Sequence, residues 1–113
     1  KKVNFTILTP GYLPEGYKFS NAIVFDKIVA IIYKKAGSKF PLHFSENKGT
    51  KPLPIHSAEV VNINGNKGYY YSSVNTIKGS SVSVLSWTSN NMVFVLTSQL
   101  SKKYMEKIAE SVK

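Results

Sequence analysis

SVSVLSWTSNNMVFVLTS, residues 81–98, holds two strand-length runs, 81–88 and 92–98, about the turn Ser89-Asn90-Asn91. Asparagine tolerates the left-handed backbone of a tight turn, so the stretch predicts a β-hairpin. In its second run Met92, Phe94 and Leu96 fall on one side and Val93 and Val95 on the other. A strand apolar on both sides belongs in the middle of a sheet, because an edge or solvent-facing strand would leave one set in water.

The same grammar repeats upstream. Residues 59–63 and 67–74 flank Asn64-Gly65-Asn66, a second hairpin signal. Tyr17, Phe19, Ile23 and Phe25 alternate with Lys18, Ser20 and Asp26, and Asp26-Lys27 turns the chain into residues 28–34, a third hairpin. Residues 39–45 alternate again, with Phe40, Leu42 and Phe44 on one side and Lys39, Pro41, His43 and Ser45 on the other. Pro41 lacks an N–H and predicts an edge strand or a bulge there. Residues 46–57 carry Gly49, Pro52 and Pro54 and read as a loop; so does the opening, with Pro10, Gly11, Pro14 and Gly16, after a short edge strand at 3–8.

At the C-terminus the period changes. Leu100, Tyr104, Met105, Ile108, Ala109 and Val112 recur at helical spacing, with Ser101 placed to cap and Leu100 and Met105 placed as a hydrophobic staple. Lys102 and Lys103 in the first turn oppose the helix dipole. The expected fold is α+β, a curved antiparallel sheet of about six or seven strands built from hairpins with one C-terminal helix packed on it. Tyr104, Met105, Ile108 and Val112 are expected to dock that helix on the face that includes Phe94.

The 113 residues suit one domain, 1–113, with 42% hydrophobic residues to fill its interior. The chain opens Lys1-Lys2-Val3 without an initiator methionine and is expected to be excised from a longer protein. Absence of cysteine excludes disulfides, thiolate chemistry, finger-type zinc sites and iron–sulfur clusters. The longest apolar run, residues 28–33, is far short of the ~20 residues of a membrane-spanning helix. All fifteen basic residues are Lys, against six acids, for a net charge of +9. Base readout favours the guanidinium fork, so no specific nucleic acid is expected as a partner. Lys, Asn and Ile share A- and T-rich codons, so a low-GC genome drawing Lys wherever a cation will do accounts for the lysines better than a selected basic site does. Attraction to anionic surfaces follows either way.

Tyr12-Leu13-Pro14-Glu15-Gly16-Tyr17 at the start, Trp87 on a strand before a turn and an apolar strand, and Leu100-Ser101-Lys102 with Ile108-Ala109-Glu110-Ser111 at the end carry a resemblance covering nearly the whole chain. Together they resemble a domain-of-unknown-function family of low-GC Gram-positive bacteria, in which a YLPEGY opening and a closing LS…IAES helix bracket the domain. The resemblance implies a C-terminal, extracytoplasmic domain of a membrane-anchored protein, a lipoprotein or an anti-sigma-factor-like protein, anchored through a segment absent from this chain. It implies no catalytic residues, and it extends distantly to lipoprotein-carrier-like domains.

Catalytic patterns are poor. His43 and His56 have no HExxH, HxH or Cys companion, and only Glu46 or Glu59 could join them at a metal. No nucleophile motif sits in a suitable strand-to-helix context, and no cofactor is expected. The expected function is a non-enzymatic binding or sensory domain. The alternatives are a carrier or chaperone of lipid or lipoprotein acyl chains and a cell-envelope hydrolase. One helix ~10 Å across cannot cover a sheet of seven strands spaced ~4.8 Å apart. A concave groove between sheet and helix, lined by Tyr33, Phe44, Tyr70, Trp87 and Phe94, is therefore expected to take a protein segment, an apolar peptide or an acyl chain at the cell envelope. Their structural alternative is ordinary core packing.

Overall fold

A computed structural model describes residues 5–38, 40–52, 58–75 and 80–112. Seven strands, β1 (Tyr17–Phe25), β2 (Ile28–Lys35), β3 (Leu42–Lys48), β4 (Glu59–Ile63), β5 (Asn66–Asn75), β6 (Ser80–Ser89) and β7 (Met92–Ser98), precede one helix, α1 (Lys102–Glu110). They form one antiparallel sheet in the order β1-β2-β3-β7-β6-β5-β4. The sheet is two meanders, β1 to β3 and β4 to β7, joined where β3 pairs with β7. The two-faced apolar β7 is thus at the centre, as its sequence requires.

Three tight turns set the registers. Asp26-Lys27, Asn64-Gly65 and Asn90-Asn91 all have positive φ at both central positions. That handedness matches the twist of the flanking strands. Asn62 Oδ1 accepts the Gly65 N–H at 2.8 Å and steadies the second turn.

Alternation then sorts side chains onto two faces. Val24, Val29, Glu46, Phe94, Trp87, Gly68 and Val61 form one cross-strand row of the inner face. Ala22, Ile31, Phe44, Leu96, Leu85 and Tyr70 form the next. The core lies here. Gly68 is required in its row, since a Cβ at that position would stand 2.8 Å from the Ser86 carbonyl oxygen and 3.1 Å from Trp87 Cβ.

Two pieces of chain cover the inner face. Helix α1 lies over the second meander, against β4, β6 and β7, and buries Met105, Ile108 and Ala109. Each large aliphatic side chain so buried contributes about 1.5–3 kcal/mol. The N-terminal segment, residues 5–16, packs Phe5, Ile7, Leu8, Tyr12 and Leu13 against the core beside the helix. It is tied to the helix end by the Gly11 N–H to the Ser111 carbonyl (2.9 Å), the Tyr12 N–H to Ser111 Oγ (3.0 Å) and the pairing of Pro10 with Val112.

Several expectations change. Pro41 does not mark an edge: β3 starts one residue after it and runs inside the sheet, so the missing N–H falls outside the ladder. Residues 46–48, expected in a loop, continue β3. Residues 5–8 form no strand, because their place is across the inner face and not at a sheet edge. A bulge between Phe19 and Asn21 breaks the alternation of β1, so Phe19 sits opposite Tyr33 while Ile23 and Phe25 go to the other face. Tyr104 is not a docking residue; it is 42% exposed. Ser101 has the N-cap conformation without a side-chain cap bond, and its carbonyl accepts the Met105 N–H at 3.0 Å. Ser98 Oγ instead accepts the Leu100 N–H (2.9 Å) and donates to Met105 Sδ (3.0 Å), locking the strand-to-helix turn.

Candidate functional site

The five aromatic residues expected to line a groove come together on the inner face, as packing. Phe44 stacks on Phe94 with ring centroids 5.9 Å apart, and Trp87 stacks on Phe94 at 5.3 Å. These three rings are almost wholly buried. Tyr33 is buried beside them, its hydroxyl pushed up in pKa by burial and then by the charge of Glu46. Tyr70 is half-buried, its hydroxyl 3.2 Å from Ser83 Oγ, with the Lys102 ammonium 6.0 Å from its ring centre. The space left between Trp87, Phe94, Ala109 and Leu8 is a gap of about 40 Å³. An acyl chain does not fit there. The chain's own residues 5–16 and its helix take the place that the groove was expected to offer.

Glu46 is the inner face's one buried acid among the described residues. It stands between Val29 and Phe94 in its row, with Oε1 accepting the Leu8 N–H at 2.9 Å and Oε2 buried without a hydrogen-bond partner among the described residues. Burial pushes its carboxyl up to about 7, against the lowering effect of the Leu8 N–H. The acid fastens residues 5–8 across the first meander. Leu42, Phe44 and Glu46 already alternate in the sequence, and extending that period by two residues would have placed Glu46 on the core face.

The outer face has a different composition. Its central row is Ile23, Ala30, Ser45, Val95, Ser86, Tyr69 and Val60, with Asn21, Ile32, His43, Thr97, Val84 and Tyr71 beside it. The helix and N-terminal segment both pack on the inner side; on the outer one Ser86, at the middle of its row, is fully buried, while Ile23 and Val60 toward the two edges are 48% and 60% exposed. Lys18 pairs with Lys34 on this face, and Lys67 also lies on it, its ammonium 5.5 Å from the Tyr69 ring centre. No acid belongs to it: Glu46 is inside, Glu59 pairs with Lys102 on the inner side, Glu106 and Glu110 are on the helix, Glu15 is in the N-terminal segment and Asp26 is in a turn. This segregation is invisible in a net charge and was missed at the level of sequence, because it depends on which strands share a face.

His43 is exposed on the outer face, and His56 lies outside the described residues. Among the described residues no three His, Cys, Asp or Glu side chains come close enough to hold a metal ion. Nor is any described helix long and apolar enough to cross a membrane.

These features define a class: an α+β domain whose open antiparallel sheet is covered on one side by its own helix and N-terminal segment, and whose other side carries lysines, no acid and exposed apolar side chains toward its edges. The chain belongs to the family described as Domain of unknown function (DUF4367), whose model matches residues 7–112. Comparison with curated proteins and with solved structures returns no match.

Proposed function

We propose that this is a non-enzymatic binding or sensory domain on the extracytoplasmic side of a membrane-anchored protein of low-GC Gram-positive bacteria, and that a partner protein docks on its outer sheet face. The observation that carries the reading is that outer face, where the apolar side chains of Ile23 and Val60 are 48% and 60% exposed and Lys18, Lys34 and Lys67 stand with no acid among them. A single-layer sheet normally gives up one face to solvent with polar residues on it; an apolar one marks a contact surface. The lysines select a partner that presents carboxylates around an apolar centre. The placement outside the cytoplasm in a lipoprotein or anti-sigma-factor-like parent is supported by the opening Tyr12-Leu13-Pro14-Glu15-Gly16-Tyr17 and the closing helix. The small gap of about 40 Å³ among the inner-face aromatics favours this reading over acyl-chain carriage, and no cluster of His and acid side chains among the described residues favours the hydrolase.

The test is a photo-crosslinking amino acid at Val60 in the parent protein, expressed in its own cells, with the same group at Lys103 on the helix as the reference position. Protein adducts formed from Val60 and absent from Lys103 support the docking face. Equal adducts from both positions, or none from Val60, rule it out.

A further inference from the structure

The β1–β2 turn end of the sheet combines exposure and charge in a way that the central rows of the outer face do not explain. Phe25, the last residue of β1, is 75% exposed, and its partner Ile28 is 39% exposed. A phenylalanine this open at the tip of a hairpin gains little from packing, so its position is unfavourable unless something else removes it from water. Lys27 lies in the turn between them, and Ile28, Lys27 and Lys48 surround one open cleft of about 340 Å³ together with Phe5 and Asn47. Asp26, in the same turn, is the opposing charge, so the corner carries two cations against one anion.

A small apolar tip with two lysines beside it suits one kind of surface. A protein pocket would need shape around Phe25, whereas an anionic bilayer accepts an apolar side chain at the depth of its headgroups and rewards each nearby lysine. We propose that the β1–β2 hairpin tip docks the domain on an anionic lipid bilayer, with Phe25 and Ile28 entering the interface and Lys27 and Lys48 facing the headgroup charges. Lysine stems bury their methylenes while the ammonium stays wet, which fits lysines beside an apolar point. The tip lies at the opposite edge of the sheet from Val60, and either surface can fail without the other.

Sedimentation of the chain with vesicles of phosphatidylglycerol and phosphatidylcholine, against pure phosphatidylcholine, reads the partition. Binding to the anionic vesicles is expected to fall about fivefold for each of Lys27→Ala and Lys48→Ala. Phe25→Ser is expected to weaken it roughly tenfold. The decisive control is Lys18→Ala with Lys34→Ala, which removes from the outer face the same charge that Lys27→Ala with Lys48→Ala removes from the tip. If that control loses as much as the tip double variant, or if Phe25→Ser binds as the parent does, attraction is diffuse and the proposal falls. It falls equally if the unaltered chain does not sediment with anionic vesicles. A Phe25→Trp variant adds a direct reading, since bromine-labelled lipid should quench the tip tryptophan and leave buried Trp87 emission in place.

Discussion

Glu46→Gln should make the domain more stable at pH 8 and leave it nearly unchanged at pH 4. The carboxyl is fully buried and is raised from 4.5 to about 7 by that burial. The native state therefore holds the proton more tightly than the unfolded chain, and stability falls as pH rises through the interval from 4.5 to about 7. Above it the loss is complete. At about 1.4 kcal/mol per pH unit, the interval corresponds to roughly 3 kcal/mol of destabilisation of the wild type at pH 8. The glutamine side chain would keep an oxygen for the Leu8 N–H and carry no charge at either pH. Its amide group would still need a partner where Oε2 has none among the described residues, which takes part of the gain away. Urea denaturation of both proteins at pH 4, 6 and 8 measures the difference, and because every other titrating group is common to the two, the change in that difference with pH isolates Glu46. Parallel stability curves from pH 4 to 8 would show that Glu46 ionises in the folded state as easily as in the unfolded one, and the latch argument would be refuted.

The packing fixes three further outcomes. Ile108→Ala should lower stability by about 2–5 kcal/mol in a denaturant titration, while Tyr104→Ala, on the exposed side of the same helix, should cost less than about 1 kcal/mol. Gly68→Ala drives a Cβ against the Ser86 carbonyl and should cost about 1–3 kcal/mol, seen as a lower midpoint with unchanged slope; no loss would mean that β5 and β6 separate without penalty. A chain beginning at residue 14 removes Phe5, Ile7, Leu8, Tyr12 and Leu13 from the core and should bind a hydrophobic dye at its inner face; an unchanged Tm and no dye binding would make residues 5–13 an accessory.

Local chemistry was written plainly in the sequence. Asn90-Asn91, Asn64-Gly65 and Asp26-Lys27 are short-range instructions for turns, and the 3.6-residue period from Leu100 to Val112 needs no knowledge of the rest of the chain to predict a helix. The centrality of β7 was legible too, since Met92 to Leu96 is apolar on both sides. What depended on distant pairing was not legible. The adjacency of β3 and β7 joins residues far apart in the chain, and only that pairing puts Glu46 beside Phe94 and turns an acid expected in a loop into the fastening of the N-terminal segment. The bulge at Ser20 sends Ile23 and Phe25 to the face opposite Phe19, so an alternation read residue by residue assigns them together and the fold separates them. As sequence, Trp87, Phe44 and Phe94 fit the lining of a groove, with core packing as the alternative; residues 5–16, far away in sequence, decide between them by settling on the inner face beside the helix. The segregation of lysines from acids on the outer face is of the same kind, because which side chains share a surface is fixed by strand order and register, and those are properties of the assembled sheet.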